Sequence, residues 1–275
     1  MTYFDYNATT PLAPEARETW LKEADEGWQN PSSPYRSAAR VRARLNECRE
    51  RIARVLGTSP DNIVFTSGAT EAYNLWARSA LPAIADSGGR VLASAQEHPC
   101  VFESVREWGG ASVEACSPDR EDFIETLAGR LKRKPRAEAV VMMAANNETG
   151  LLYPWVNVAQ ACREQGIPFF CDISQWIGKM DPSELRLPDF CCGSAHKFGG
   201  PKGVGFLKVS KQFASVRGDL GGLQEHGIRA GTENYPGIAA MVAALEAANA
   251  RASDSSEINL RGQCRDAFID ALRAR

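Results

Sequence analysis

Apolar runs alternate with amphipathic stretches along most of the 275 residues. The short apolar runs Ile63–Thr66 and Arg90–Ser94 are typical of strands, and Pro99–Trp108 has the spacing of a helix opened by proline. The run Ala137–Ala145 is continuously apolar, which favours a central strand buried on both faces. This alternation predicts a three-layer α/β/α domain with a mostly parallel sheet.

The same patterns predict the remaining elements. Further strands are predicted over Ile167–Cys171, Pro188–Gly193 and Val204–Val209, and further helices over Arg36–Arg54, Ala69–Ser79, Val156–Gln165, Pro236–Arg251 and Ile258–Arg275. The last helix reaches the final residue without a turn signal, so we expect further residues to come after it. In open parallel sheets ligands bind beyond the carboxyl ends of the strands, so functional residues should come directly after strands.

Composition excludes several classes of function. The net charge of −2 is spread over interspersed charges of both signs, so we expect no surface for nucleic acid or for a membrane. No apolar run approaches the roughly 20 residues that span a bilayer, and Met1–Asp5 does not begin a signal peptide. None of the eight cysteines forms a CxxC pair, which predicts no metal site and indicates a reduced, cytoplasmic location.

A glycine-rich segment, Gly193–Gly205, lies between two predicted strands. Its glycines allow the backbone to approach a ligand closely, and its hydroxyl, imidazole and amide groups can surround a phosphate. Lys197 lies among other cationic groups, which can lower its pKa enough to make it a nucleophilic amine. The alternative interpretation is a glycine-rich hairpin with a solvated lysine.

Two other segments place polar residues after predicted strands. Asp172 ends an apolar strand, where a buried cationic partner such as a protonated pyridine nitrogen would satisfy it. Gln175 can face the same ligand from the next turn, although Asp172 can also simply cap a helix. Ala69 and Thr70 begin a helix after a glycine turn, which is either an anion site or an ordinary N-cap.

All three histidines lie in loops that contain glycine or proline. His98 comes after a predicted strand and can stack on an aromatic ring. The segment Asn146–Gly150 ends the strand that begins at Ala137, so it adds amide side chains at the same edge of the sheet.

Together these segments resemble the cysteine desulfurases, which are fold-type-I enzymes of the class V aminotransferase group and use pyridoxal 5′-phosphate (PLP). Nearly the whole chain carries the motifs in the order of the family. These are Tyr3–Pro11, Asn30–Ser33, FTSGATEA, the EH of QEHP, NNETG, CDISQWIGK, SAHKFGGPKGVG and Gly221–Asn234.

The resemblance implies a role for each matching residue. Lys197 would carry PLP as a Schiff base and move the substrate α-proton, and His98 would stack on the ring and assist proton transfer. Asp172 would pair with the ring nitrogen, Gln175 would bind the phenolic oxygen, and Asn147 would lie near that oxygen and the substrate carboxylate. The phosphate would be held by Ala69, Thr70, Ser194, His196 and, from the neighbouring subunit of a homodimer, Thr232.

The resemblance also implies the domains and the reaction. Residues 1–14 would be an N-terminal segment associated with a small domain, residues 15–251 the PLP-binding large domain, and residues 252–275 a linker and the first helix of an incomplete small domain. The enzyme would take sulfur from L-cysteine, leaving alanine and a persulfide for an acceptor or scaffold protein in iron–sulfur cluster or thio-cofactor assembly.

The thiol that attacks the substrate sulfur lies, in this family, well over a hundred residues after the lysine. Cys264 is the only cysteine after Lys197, and we do not expect it to be that nucleophile. Cys100 and the pair Cys191–Cys192 are possible substitutes, but packing residues are the simpler interpretation. Three explanations for the missing thiol remain open. The chain is a shortened form of a longer protein, or a separate polypeptide supplies the remainder, or the protein is a naturally short PLP protein that no longer desulfurates. Selenocysteine lyase, aminotransferase and a non-catalytic PLP-binding dimerisation or regulatory protein are the alternative functions.

Overall fold

The protein is described here by a computed structural model that covers residues 2–108, 112–118, 121–210, 218 and 220–274. Its helices are α1 (Pro14–Glu26), α2 (Arg36–Val55), α3 (Ala69–Asp86), α4 (Pro99–Trp108), α5 (Phe123–Leu131), α6 (Trp155–Gln165), α7 (Tyr235–Ala252) and α8 (Ser255–Arg273). Its strands are β1 (Ile63–Thr66), β2 (Arg90–Ser94), β3 (Ser112–Cys116), β4 (Ala137–Met143), β5 (Phe169–Asp172), β6 (Phe190–Ser194) and β7 (Gly205–Val209). Within these residues, every helix is too short or too polar to cross a bilayer.

The seven strands form one sheet in the order β1-β7-β6-β5-β4-β2-β3. Strands β2 to β6 pair in parallel, whereas β7 runs antiparallel to both of its neighbours, β1 and β6. The carboxyl ends of β2, β4, β5 and β6 therefore meet at one edge of the sheet. The predicted mostly parallel sheet is confirmed.

Helices cover both faces of the sheet, which explains why its strands are continuously apolar. On β5, Phe169 and Cys171 pack towards α2, α6 and α7, whereas Phe170 packs on the opposite face towards α3. On that second face the rings of Tyr73 and Phe170 meet edge to face, with 5.0 Å between their centroids. The predicted three-layer α/β/α architecture is confirmed.

The predicted elements are found with small changes in their bounds. Helix α3 is longer than predicted and continues through Pro82 to Asp86, because Leu81 and Ile84 beyond Ser79 pack into the core. Helix α1, strand β3 and helix α5 were not predicted. Helix α8 comes shortly after α7 and buries none of its residues, and its assignment to a second domain stays a prediction.

Candidate active site

The carboxyl ends of β4, β5 and β6 border a cleft of about 220 Å³ together with the first turn of α3 and the loop after β2. Of the ten predicted site residues, nine line this cleft, namely Ala69, Thr70, His98, Asn147, Asp172, Gln175, Ser194, His196 and Lys197. These residues come from five separate segments of the chain. The edge rule for parallel sheets therefore located the cleft correctly.

One end of the cleft contains the start of α3. Helix α3 begins at Ala69 without a side-chain N-cap on Gly68, and the Ala69 amide donates to Ser194 Oγ at 2.8 Å. A Cβ on Gly205 would lie 2.5 Å from Gly68 Cα, so glycine is required where this turn packs on β7. Amide groups, a hydroxyl and a helix N-terminus at one place match the needs of a phosphate group.

Lys197 lies in the connection between β6 and β7, in a short turn spanning Ala195–Lys197. Its Nζ donates to the carbonyl oxygens of Asn7 at 2.7 Å and Ala8 at 3.0 Å. Partial burial lowers the pKa of Lys197, while the charges of Asp172 and Asp5 oppose that change. A lysine with a lowered pKa presents more of its neutral, nucleophilic form at physiological pH.

Asp172 ends β5 and faces the same cleft as Lys197. Its Oδ1 accepts a hydrogen bond from the Ser174 amide at 2.8 Å, which fixes the carboxylate at the start of the next turn. This hydrogen bond closes a local side-chain-to-backbone turn. Such turns also occur at helix starts, so the alternative interpretation of Asp172 as a capping residue is partly met. The same carboxylate is nevertheless close enough to Lys197 to influence its pKa.

Gln175 is held at both ends of its amide group. Its Nε2 donates to the Asn7 carbonyl at 2.8 Å, and its Oε1 accepts from Lys179 Nζ. Burial and the nearby Lys197 charge lower the pKa of Lys179 to about 8. Because Lys179 occupies the amide oxygen, the amide nitrogen is the group of Gln175 with a donor left for a ligand.

Residues 7–10, the N-terminal strap, cross the opening beside Lys197. Thr10 Oγ1 donates to the His196 carbonyl at 2.9 Å and accepts from the Gly199 amide at 2.8 Å. The side chain of His196 is 3.1 Å from Thr9 Oγ1 through Nδ1. The strap thus contacts the segment that carries Lys197, and the predicted association of residues 1–14 with a small domain stays a prediction.

His98 lies on the loop after β2, and its Nδ1 accepts from the Cys100 amide at 3.2 Å. This bond leaves Nε2 as the protonated nitrogen of the neutral ring. Cys100 also lines the cleft, but burial and then the Asp172 charge raise the pKa of its thiol to about 12. Cys191 and Cys192 are buried, and burial raises the pKa of both thiols. These three cysteines are poor thiolates, as expected for packing residues.

Thr232 is the one predicted site residue outside the cleft lining. It is exposed, and its Oγ1 accepts from Asn30 Nδ2 at 3.4 Å. Its predicted phosphate contact belongs to a neighbouring subunit, so this role stays a prediction.

Sequence reasoning missed four residues at the site. Met143, Ala145 and Ser174 line the cleft, and Asn7 supplies a carbonyl oxygen to both Gln175 and Lys197. Backbone contacts of this kind leave no side-chain signal. The Tyr3–Pro11 motif was visible in the sequence, but its contact with Lys197 was not.

The cleft combines an anion-binding helix start, a strand-end carboxylate and a lysine with a lowered pKa, which is the donor set of a PLP enzyme. The Aminotransferase class-V family model matches residues 2–265. The chain belongs to this family and, within it, to the cysteine desulfurases.

Individual relatives with the same family name support this assignment. The chain is 36% identical to the cysteine desulfurase IscS of Dictyoglomus turgidum over 279 residues, covering 99% of this chain and 70% of that protein. It is 38% identical to a cysteine desulfurase of Enterobacter agglomerans, covering 90% of this chain and 62% of the relative. The chain thus spans about two thirds of the length of these relatives.

Solved structures show the same fold. A NifS-like protein matches with a TM-score of 0.88 and 30% identity, covering 98% of this chain and 76% of its own. A structure of SspA in complex with cysteine matches with a TM-score of 0.81 and 30% identity, covering 90% of this chain and 72% of its own. The architecture is therefore that of the fold-type-I PLP enzymes.

Proposed function

We propose that this chain binds PLP on Lys197 and forms the cofactor-binding part of a cysteine desulfurase that acts on L-cysteine. The single observation that carries the proposal is the convergence of nine predicted residues from five chain segments on one cleft. The relatives named cysteine desulfurase and the SspA structure with bound cysteine support the choice of substrate.

The residues of the cleft fit PLP group by group. The start of α3 with Ser194 and His196 would hold the phosphate, and burial and the charges of Lys197 and Lys202 lower the pKa of His196. A neutral His196 donates or accepts a hydrogen bond without requiring a second charge partner. Asp172 would keep the ring nitrogen protonated, and Gln175 would donate to the phenolic oxygen from its Nε2.

When bound, PLP supplies an electron sink that stabilises negative charge at the substrate α-carbon. The protein supplies the proton transfers and the orientation. Lys197 would take the α-proton through Nζ, and His98, which also lines the cleft, offers a protonated Nε2. Asn147 would orient the substrate carboxylate from the loop after β4.

The sulfur nucleophile is a separate question from the cofactor site. Cys100 lies in the cleft, but its raised pKa opposes the thiolate that must attack sulfur. Cys264 is exposed on α8. We propose that neither of them is the sulfur-accepting thiol.

A dimer and a sulfur acceptor belong to the same proposal. A homodimer would bring Thr232 to the phosphate of the neighbouring subunit, and an acceptor or scaffold protein for iron–sulfur or thio-cofactor assembly would take the sulfur. All eight cysteines are free, which supports a cytoplasmic location.

Cofactor binding is tested first, by adding PLP to the purified protein and recording the visible absorbance of the bound cofactor. We expect absorbance that dialysis does not remove, and its loss in Lys197→Ala. Lys22→Ala, an exposed lysine on α1, is the matched control and should bind PLP normally. A wild-type protein that stays colourless with PLP would overturn the proposal.

The reaction is tested with L-cysteine and a reductant, measuring sulfide and alanine. We expect equal amounts of both from a fusion of this chain to the C-terminal part of the Dictyoglomus turgidum relative, and loss of both in Lys197→Ala. Replacement of Cys264 by Ser should not change the rate. A PLP-bound fusion that releases a keto acid, or selenide from selenocysteine but no sulfide from cysteine, would point instead to the other class V activities.

A further inference from the structure

A buried carboxyl group lies directly behind the cleft, on Glu97, next to the predicted ring-stacking His98. Glu97 is only 7% exposed. Its Oε1 accepts a hydrogen bond from the Met143 amide at 2.8 Å, whereas its Oε2 is buried with no hydrogen-bond partner among the described residues. A buried oxygen of an ionised carboxylate rarely remains unpaired, because the desolvation cost is large.

The position of this carboxyl group ties it to the site. Met143 is the last residue of β4 and is paired in register with Asp172 on β5. Glu97 therefore anchors the backbone beside the carboxylate that faces the cofactor position. It does so from the loop that also carries His98, so one side chain joins the loop after β2 to the end of β4.

Among the described residues, the titratable groups coupled to Glu97 are acids, a phenol and thiols. The titratable groups that interact with it are Asp172 on β5, Tyr73 on α3, Cys100 on α4 and Cys171 on β5. Among the described residues, no lysine, arginine or histidine forms an ion pair with Glu97. Burial raises the pKa of Glu97 to about 8; hydrogen bonding to the Met143 amide and to the Ser94 side chain opposes this rise, and the negative charge of Asp172 adds to it.

We infer that Glu97 is a positioning residue that stays a neutral carboxylic acid at neutral pH, anchoring the end of β4 beside Asp172 without placing a second negative charge there. Two adjacent carboxyl groups thereby take different roles, since one is kept neutral by its environment and the other faces the ligand. The protonation state of Glu97 is a property of the protein alone. Its consequence for the cofactor rests on the proposed function.

The protonation state is tested on the protein without cofactor, by measuring the free energy of unfolding against pH. In the unfolded chain Glu97 ionises near 4.5, but in the folded chain it holds its proton to about 8. Between these values the unfolded state binds fewer protons, so wild type loses stability as pH rises. Glu97→Gln keeps the shape of the side chain and an oxygen that accepts from the Met143 amide. It should remove this loss of stability with rising pH.

We therefore expect the unfolding equilibrium constant of wild type to rise relative to Glu97→Gln by on the order of a hundredfold between about pH 5 and pH 8. Glu50→Gln, the same chemical change on the exposed side of α2, is the matched control and should follow wild type. A wild-type-to-Glu97→Gln ratio that does not change with pH would overturn the inference. This measurement decides the state of Glu97 even if PLP does not bind.

The positioning role is tested by PLP affinity at neutral pH in two variants. Glu97→Gln should stay within about threefold of wild type, whereas Glu97→Ala, which leaves the Met143 amide without its acceptor, should bind about tenfold more weakly. Equal weakening in both variants would mean that an ionised Glu97 is required, which contradicts the inference. If wild type itself fails to bind PLP, the proposed function fails while the pH measurement still stands.

Discussion

Two buried glutamates, Glu97 and Glu225, are held by different sets of partners. Glu225 forms two hydrogen bonds to Arg49, at 2.7 and 2.8 Å, and accepts a third from the Phe65 amide at 2.7 Å. Glu97 accepts from the Met143 amide, and within the described residues it forms no ion pair. A buried carboxylate that is fully paired with a cation and an amide stabilises the fold. A buried carboxyl group that is incompletely paired is one whose protonation state changes the charge beside its neighbours.

The pairing around Glu225 joins three parts of the chain. Arg49 comes from α2, Glu225 from the loop that leads to Thr232, and the Phe65 amide from β1, immediately before the turn into α3. The Arg49 guanidinium also lies 4.7 Å from the centre of the Phe65 ring. This tie therefore fixes the loop after β7 against the start of the anion-binding turn.

Removing the Arg49–Glu225 ion pair should have the largest effect on the free energy of unfolding. Arg49→Ala leaves a buried Glu225 charge without its partner, so we expect a loss of about 3–5 kcal/mol in the free energy of unfolding. Chemical denaturation at neutral pH measures it. Arg51→Ala on the same helix removes a more exposed pair with Glu246 and should cost only about 0.2–1 kcal/mol.

A double replacement sharpens this result. Arg49→Met together with Glu225→Gln removes both charges and keeps an acceptor for the Phe65 amide, so most of the lost stability should return. If Arg49→Ala costs no more than Arg51→Ala, Glu225 is not held as the contacts indicate, and the contrast with Glu97 disappears.

The second prediction concerns Tyr73, a buried polar residue coupled to Glu97. Its side chain is 1% exposed, and its hydroxyl has no hydrogen-bond partner among the described residues. Since an unsatisfied buried hydroxyl costs about 1–3 kcal/mol, Tyr73→Phe should stabilise the protein by about 1 kcal/mol. The measurement is again the free energy of unfolding.

Tyr235 provides the matched control, because its hydroxyl donates to Glu23 Oε2 at 2.8 Å. Tyr235→Phe removes a formed hydrogen bond and should destabilise the protein by about 1 kcal/mol. The two replacements delete the same atom, so opposite signs would show that the polar groups behind the cleft are incompletely paired. A destabilised Tyr73→Phe would show that the hydroxyl has a partner after all.

Much of the fold and of the cleft was predictable because both arise from one pattern. Continuous apolar runs predict parallel strands, and parallel strands bring Asp172 and Ser194 to the same edge. Strand β3 and helix α5 were missed, since Ser112–Cys116 is a short edge strand whose sequence is weakly apolar. The continuation of α3 through Pro82 depends on tertiary packing, which overrides the local preference of proline.

The role inferred for Glu97 could not be predicted from the sequence. Its neighbours in the chain are polar, and nothing in Gln96–Pro99 indicates a buried side chain. Its burial arises only when the loop after β2 folds against the end of β4. The same is true of Lys179, whose contact with Gln175 requires the turn after β5 to be formed.

The smallest predicted effect concerns Glu71, which is better paired than Glu97 but less buried than Glu225. Burial alone would raise the pKa of Glu71, but hydrogen bonds from Arg229 at 2.9 Å and from Ser67, whose amide lies at 2.6 Å, lower it overall. A lowered pKa means that the ionised form stabilises the fold above about pH 4.5 and that this contribution is lost as pH falls through the folded-state pKa. Glu71→Gln should therefore cost about 0.5–1 kcal/mol at neutral pH and almost nothing in acid.

Glu257→Gln, which breaks the exposed pair with Arg261 on α8, should show little effect at either pH. A cost of Glu71→Gln that grows in acid would reverse the sign expected for a paired carboxylate and would group Glu71 with Glu97.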